Sequence, residues 1–98
     1  DPDYYDACFN LGVLQVNKAR PMIEALQKTY NKAEQDKIEV KIKEVYTAAL
    51  KYFEKCMEIG IADKKEKFDL ITSMQRLYKN VGNTAKEAEF KQMAEEFK

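Results

Sequence analysis

The side chains that most often carry catalysis are absent or scattered in this sequence. Histidine is absent, which excludes imidazole-based acid–base catalysis, Ser-His triads and zinc sites that use histidine. The three glycines are isolated, so the glycine-rich loop that binds phosphate is absent. Carboxylates are abundant, but nearly all stand among lysines at helical spacing, which is typical of a solvated helix surface. We therefore expect no catalytic residue, no cofactor and no metal site.

The two cysteines, Cys8 and Cys56, lie far apart in the sequence. Two thiols without a C-x-x-C pair cannot by themselves complete a structural zinc site, and no activating base for a catalytic thiol is evident. A disulfide between them is conceivable if two helices bring them together. We favour the simpler interpretation, in which both are small core residues.

Length and composition predict one small folded domain. The 98 residues are 45% hydrophobic and 35% charged, which suits a globular chain better than a disordered one. Seventeen basic residues balance 17 acidic ones, so we expect no nucleic-acid partner. No apolar run approaches the ~18 residues of a membrane span, so we expect no direct membrane insertion. Because the chain begins at Asp1 instead of Met, we expect a piece of a longer protein or a processed product, and no compartment is assigned.

Apolar residues recur at spacings of three and four through most of the chain, which predicts helices. The first helix begins at Asp1-Pro2-Asp3, with an acidic cap and a proline in its first turn, and ends near Asn31. Its predicted apolar stripe comprises Tyr4, Ala7, Cys8, Leu11 and Leu14, is widened by Val13 and Val16, and continues beyond Pro21 with Ile23, Leu26 and Tyr30. The second helix spans about 33–59 and closes with Gly60 in the left-handed helical conformation. Residues 37–45 alternate like a strand, but a lone strand leaves its backbone groups unpaired, so we interpret them as helix.

Two shorter helices follow. Asp63 with Glu66 resembles a capping box at the start of the third helix, which stops at Gly82-Asn83. Thr84 with Glu87 resembles a second capping box, with Thr84 as the cap of the fourth helix. The expected fold is all-α: two antiparallel helical hairpins, with a long one at 1–60 and a short one at 61–98, in a single domain.

Several segments resemble tetratricopeptide repeats (TPRs). In the first helix Leu11 and Gly12 match the Leu-Gly of the repeat, whereas Cys8 takes the aromatic place and Gln15 replaces the tyrosine. In the second helix, Ala49 and Phe53 match the A-x-x-x-F pattern and Cys56 takes the place of the last small residue. In the third helix Tyr78 and Gly82 fit, Met74-Gln75 departs from Leu-Gly, and Ile61 stands where the family often has proline. The competing interpretation is a plain four-helix domain that shares these residues by chance.

The resemblance implies a right-handed solenoid fragment in which Gly12 packs closely on Ala49 or a neighbour. Gly12 and its counterpart Gln75 are separated by nearly twice the ~34 residues of a standard repeat. The excess is about eight helical turns, and dividing it between two antiparallel helices lengthens both without changing their inward faces. We therefore expect 18–48 to project as an arm, with a bend at Pro21 where the arm begins.

The resemblance also implies a concave groove, lined by the first helix of each repeat, that holds a peptide or partner helix. The matching positions form two walls: Asp6, Phe9, Val13, Val16 and Asn17 from the first helix, and Asp69, Thr72, Arg76, Lys79 and Asn80 from the third. Some family members hold a terminal carboxylate with Lys and Asn at positions occupied here by Phe9 and Val13, which argues against that clamp. Phe9, Val13 and Val16 could instead pack against a further repeat.

We therefore expect a non-catalytic interaction scaffold with a protein or peptide partner. The alternative is a structural module that forms a homo-oligomer through Ile23, Leu26, Tyr30, Ile38 and Ile42 of the long hairpin. An enzyme is a third hypothesis, because a fold alone does not fix function.

Overall fold

Four α-helices account for the regular structure of the described residues. The structure is a computed structural model and describes residues 2–60 and 63–97. Within these ranges the helices, with no strand beside them, are α1 (Pro2–Gln27), α2 (Lys32–Ile59), α3 (Lys64–Asn80) and α4 (Thr84–Glu95). The all-α class and the order of two long helices followed by two short ones are confirmed, and segment 37–45 is helical.

The long helices form an antiparallel hairpin. Phe53, near the C-terminal end of α2, contacts Gly12 and Phe9 near the N-terminal end of α1. At the opposite end, Ile23 of α1 and Ile42 of α2 line the same cleft. This pairing places the C-terminal end of α2 beside the beginning of the chain.

The short helices form a second hairpin that packs on the first. The Phe68 ring, in the first turns of α3, lies 6.3 Å from the Phe97 ring just beyond α4. α3 also packs on α2, and the Tyr78 hydroxyl of α3 donates a hydrogen bond of 2.9 Å to the Glu54 carboxylate of α2. One hydrophobic cluster runs through all four helices. Its largest fully buried side chains are Phe53, Cys56, Leu70, Ile71 and Met74.

Side chains at the helix starts fix the boundaries, and not all of them are the predicted ones. Asp63 accepts a hydrogen bond of 2.9 Å from the Glu66 amide, as predicted for the cap of α3. Asn83, instead of Thr84, caps α4 by accepting from the Lys86 amide at 3.1 Å. Thr84 is already the first helical residue, where its hydroxyl is one position too late to act as the cap. The predicted cap of the first helix, Asp1, lies outside the described residues.

The connection between the long helices differs from the prediction in the role of Asn31. α1 ends at Gln27, and the Thr29 hydroxyl donates to the Ala25 carbonyl at 2.6 Å. Asn31 accepts from the Glu34 amide and caps the start of α2 instead of ending α1. Asparagine can serve both ends of a helix, and here the backbone turns before it is reached.

Gly60 ends α2 with a positive φ of 78° and a ψ of 157°. The positive φ confirms the need for glycine at this position. The ψ angle is far from the ~47° of the predicted left-handed helical conformation, so the chain leaves the helix extended. Ile61, the position at which the family often has proline, lies outside the described residues.

The buried face of α1 agrees with the prediction only in part. Tyr5, Cys8 and Ala19 are buried, whereas Tyr4, Leu11 and Leu14 are exposed, as is Ala7. α1 carries apolar side chains around more than half of its circumference, so spacing alone does not select the inward face. Gly12 selects it, because only the glycine side of the helix admits the Phe53 ring.

The projecting part of the long hairpin is shorter than the predicted 18–48. Ala19, Ile42 and Tyr46 lie in that segment and are buried in the core, and Asn80 at the end of α3 lines a cleft with Ile42. α2 has 28 residues and α3 has 17, so at 1.5 Å per residue the long hairpin extends roughly 16 Å beyond α3. α1 runs unbroken through Pro21, which is exposed.

Candidate partner-binding trough

α1 and α3, the first helices of the two hairpins, run in the same direction with an open trough between them. Asp6 and Asp69, near the starts of these helices, line one cleft, and Ile23 and Asn80, near their ends, line another. Both helices pack on α2, yet among the described residues no Cα of α1 comes within 8 Å of a Cα of α3. The trough therefore has α1 and α3 as its walls and α2 as its floor.

The end of the trough near the starts of α1 and α3 is an acidic cleft of about 230 Å³. We call it the N-terminal cleft and define it by its lining residues, which are Tyr5, Asp6, Phe9, Glu66 and Asp69. The Tyr5 and Phe9 rings stack with their centroids 6.2 Å apart and their planes 12° from parallel. The Phe9 ring in turn lies 5.5 Å from the Phe53 ring of the core. The cleft is therefore lined by two aromatic residues that pack on the core and by three acidic side chains.

Tyr5 is the unusual member of this cleft. Only 5% of the residue is exposed, and its hydroxyl has no hydrogen-bond partner among the described residues. Burial raises the pKa of the Tyr5 phenol from 10.0 to about 12, with smaller contributions from Cys56 and then from the acidic side chains of the cleft. A buried hydroxyl without a partner lowers stability by ~1–3 kcal/mol, so this position is costly to the folded protein.

The other end of the trough, near the ends of α1 and α3, is a cleft of about 320 Å³, which we call the distal cleft. Its lining residues are Ile23, Leu26, Glu39, Ile42, Lys43, Tyr46 and Asn80. Aliphatic side chains of both long helices meet there with one acidic and one basic residue. This end can accept an apolar side chain, whereas the N-terminal cleft is acidic.

Gly12 and Phe53 hold the wall and the floor of the trough together. A Cβ atom added to Gly12 would lie 2.6 Å from the Phe53 ring, well inside contact distance. The predicted close approach at Gly12 therefore exists, and its partner is the ring one turn away from Ala49. Phe53 is 2% exposed, so the ring has no free space into which it could move.

Of the ten predicted groove residues, the structure places four in the two clefts of the trough. Asp6, Phe9 and Asp69 come together in the N-terminal cleft, and Asn80 lies in the distal cleft. The other exposed ones are Val13, Asn17, Arg76 and Lys79, and Thr72 is half-buried. Phe9 and Val16 are also half-buried and pack against the core, so they are less available than predicted.

Tyr5 and Glu66 were missed as candidate site residues. Glu66 was interpreted only as part of a capping box, although it also faces the N-terminal cleft. The apolar stripe predicted for α1 begins at Tyr4 and therefore excludes its neighbour Tyr5. The usable signal is spacing: Cys8 follows Tyr5 by three residues and Gly12 follows Cys8 by four, so all three lie on one helix face.

The two thiols are core residues. Cys8 and Cys56 are both buried and free, and the Cys56 thiol lies 3.8 Å from the Tyr5 carbonyl oxygen, to which it donates. Burial, with a smaller contribution from Cys8, raises the pKa of Cys56 to about 11. A thiol with this pKa is a poor nucleophile at neutral pH, which agrees with the structural interpretation.

A further cleft of about 660 Å³ lies between α2 and the α3–α4 turn. The hydrogen bond between Tyr78 and Glu54 forms part of its lining. Burial and then this hydrogen bond raise the pKa of the Tyr78 phenol well above its usual value. Since the hydroxyl and the carboxylate already satisfy each other, we assign this pair to the interface between the hairpins.

Over residues 2–60 and 63–97, no group of three or more acidic or cysteine side chains is arranged to hold a metal ion. None of the helices described has both the length and the apolar character needed to cross a membrane. The chain matches no protein-family model, and it is not significantly similar to any curated protein or solved structure with which it was compared.

Proposed function

We propose that this chain is a non-catalytic interaction module that binds a peptide or helix of a partner protein in the trough between α1 and α3. The observation that carries the proposal is the pair of clefts at the two ends of α3, each lined by residues of both walls. A segment lying along the trough would contact α1 and α3 together and would need no rearrangement of the core.

The composition of the walls supports this proposal. Val13 is exposed on α1, and Arg76 and Lys79 are exposed on α3. An apolar wall facing a basic and polar wall gives a partner segment one side to bury and another to hydrogen-bond. The half-buried Phe9 adds an aromatic anchor, of the kind enriched at interfaces.

The finer assignment, that the hairpins are two TPR-like units of a right-handed solenoid, is also a proposal. It is supported by the close contact of Gly12 with Phe53, which uses the small and large residues of the repeat pattern. The parallel course of α1 and α3 is a second support, since these would be the first helices of successive repeats.

The test is peptide selection followed by measurement of affinity. Peptides enriched by display on the wild-type protein should bind at least tenfold more weakly to the double variant Val13→Asp, Lys79→Glu. The matched control is Val40→Asp with Lys51→Glu, which makes the same changes at exposed positions of α2. Equal binding to both double variants, or loss only in the control, would contradict the proposal.

Self-association is a second candidate, favoured by the exposure of Tyr4, Leu11 and Leu14. At 100° per residue, Tyr4 and Leu11 lie about 160–180° around α1 from Val13, on the flank away from the trough. Of the interface residues predicted from the sequence, Ile42 is buried, and Ile23, Leu26 and Ile38 are partly buried against the core. Only Tyr30 of that set is fully exposed. Sedimentation should show a dimer that Leu11→Asp dissociates; a monomer across the micromolar range removes this candidate.

A further inference from the structure

The N-terminal cleft combines a group of acidic side chains with a buried hydroxyl that has no hydrogen-bond partner among the described residues. Three acidic side chains, Asp6, Glu66 and Asp69, line it with no basic residue among them. Beneath them, the Tyr5 hydroxyl is buried without a hydrogen-bond partner among the described residues. Buried polar atoms in folded proteins are nearly always paired, so an orphan hydroxyl at the wall of an acidic cleft indicates a place for a ligand.

The acidic side chains are also unpaired within the described part of the chain. The ion pairs found there join Lys32 to Asp36, Lys37 to Glu34, Lys55 to Glu58 and Lys86 to Glu89. None of them involves a carboxylate of the N-terminal cleft. The ammonium of Lys67, on the same turn of α3 as Glu66, lies instead 5.9 Å from the centre of the Phe97 ring. Although the chain as a whole has no net charge, this cleft concentrates negative charge.

From this geometry we propose that the N-terminal cleft binds an arginine side chain of the partner segment, with its guanidinium among Asp6, Glu66 and Asp69. The inference rests on the proposed function, because it names the chemistry of one residue in the segment that occupies the trough. A volume of about 230 Å³ accommodates a guanidinium and part of its aliphatic chain. The site is not a metal site, since no arrangement of acidic residues suited to a metal ion occurs in the described residues.

Arginine fits this cleft better than lysine for two physical reasons. A guanidinium is planar and donates hydrogen bonds in a fixed fork, so it can bind two carboxylates at once. Its flat face also stacks on aromatic rings, and the half-buried Phe9 ring is part of the cleft lining. The Tyr5 oxygen is itself buried, so it becomes a further acceptor for the guanidinium only when the ring shifts toward the cleft.

The experiment uses the whole chain and a small probe. N-acetyl-arginine methylamide is titrated into isotopically labelled protein while amide chemical shifts are followed. Citrulline, which has the shape of arginine without its charge, and lysine are titrated in the same blocked form. We expect saturable shifts at residues 5–9 and 66–69 with the arginine probe, weaker ones with lysine and none with citrulline.

Variants separate binding from folding. The triple variant Asp6→Asn, Glu66→Gln, Asp69→Asn should abolish the saturable shifts, whereas Glu24→Gln, Glu44→Gln, Glu95→Gln removes the same charge at exposed positions outside both clefts and should not. Tyr5→Phe should weaken binding of the arginine probe about three- to tenfold and at the same time raise the thermal stability of the free protein, because it removes an unsatisfied buried group. A purely structural role for Tyr5 would leave the affinity unchanged.

The possible outcomes distinguish this inference from the proposed function. Arginine-independent binding of selected peptides in the trough, with equal affinity after arginine is replaced by citrulline, overturns the inference and leaves the proposed function intact. Saturable arginine binding in the N-terminal cleft without any peptide binding supports the inference and overturns the proposed function. Equal shifts with the arginine and citrulline probes also overturn the inference.

Discussion

Gly12 determines how closely α1 and α2 approach, and hence the shape of the trough floor. Its missing side chain is the space occupied by the Phe53 ring, which is 2% exposed. Because glycine lowers helix propensity by ~1 kcal/mol relative to alanine, its presence in the middle of α1 needs a packing reason, and the ring provides it.

Gly12→Ala should destabilise the protein by about 1–2 kcal/mol, measured by urea unfolding. The new Cβ would lie 2.6 Å from the ring, and the overpacking cost of ~1–3 kcal/mol outweighs the better helix propensity of alanine. Asn10→Ala, at an exposed position of the same helix, serves as control and should be neutral or slightly stabilising. Combining Gly12→Ala with Phe53→Leu should cost less than the sum of the two single changes. Strict additivity would contradict a contact between these residues.

The Cys56 thiol should make stability fall at alkaline pH. Burial raises its pKa from 9.0 to about 11, so its contribution is fully present below pH 9 and is lost as the pH rises through 11. The difference in unfolding free energy between wild type and Cys56→Ala should therefore shrink by roughly 2–3 kcal/mol from pH 8 to pH 12. Denaturant unfolding at a series of pH values measures this difference. A difference that stays constant over that range would show that the thiol ionises equally well in the folded and unfolded chains.

Among the helices, α4 depends most on its N-terminal cap for stability. It has 12 residues, too few to be stable alone in water, and it is anchored by Phe90 and Ala94. Its start is fixed by the Asn83 side chain, which lies directly after a positive-φ glycine, Gly82. This turn connects α3, the second wall of the trough, to α4, which packs against α3.

Asn83→Ala should therefore cost about 1 kcal/mol of stability, whereas Thr84→Ala should be close to neutral. The Asn83 oxygen accepts from the Lys86 amide, and loss of such a cap typically costs ~1 kcal/mol. Thermal unfolding of the two variants side by side checks the assignment. A larger loss of stability for Thr84→Ala than for Asn83→Ala would show that Thr84 is the cap of α4, as predicted from the sequence.

The helices were predictable where a single physical signal was present. α2 carries one apolar face that includes Ile42, Ala49 and Phe53, all of them buried, so its orientation follows from its spacing. α1 carries apolar residues on two flanks, and its orientation depends on the approach of a distant ring to Gly12, which spacing does not encode. Of the residues that line the N-terminal cleft, Asp6, Phe9 and Asp69 are among the groove residues predicted from the sequence, whereas Tyr5 and Glu66 required the relative placement of α1 and α3.

The trough spans both hairpins of the molecule and has two chemically different ends. The N-terminal cleft has three acidic side chains, whereas the distal cleft has three aliphatic ones and a single acidic residue balanced by a basic one. Between Asp69 and Asn80, α3 rises roughly 16 Å at 1.5 Å per residue. The whole chain has no net charge. The packing of the two hairpins nevertheless gives the trough one acidic end, so a bound segment would have a preferred orientation.

This length predicts the spacing of anchors in a bound segment. An extended peptide covers roughly 16 Å with about five residues, and a helix covers it with about 11. Selected peptides should thus carry a basic and an apolar residue about five positions apart if extended, and truncation between these anchors should weaken binding at least tenfold in a fluorescence anisotropy titration. Peptides that keep full affinity with either anchor removed would contradict two-ended binding.

The most direct test of the trough is chemical-shift mapping of a selected peptide on the labelled protein. Binding in the trough predicts that the perturbed amides cluster on both walls, around Asp6 and Val13 of α1 and around Asp69 and Arg76 of α3. The outer flank of α1, at Tyr4 and Leu11, should be unaffected beyond its immediate neighbours. Perturbations confined to that outer flank or to the hairpin tip around Tyr30, with none on α3, would contradict the account.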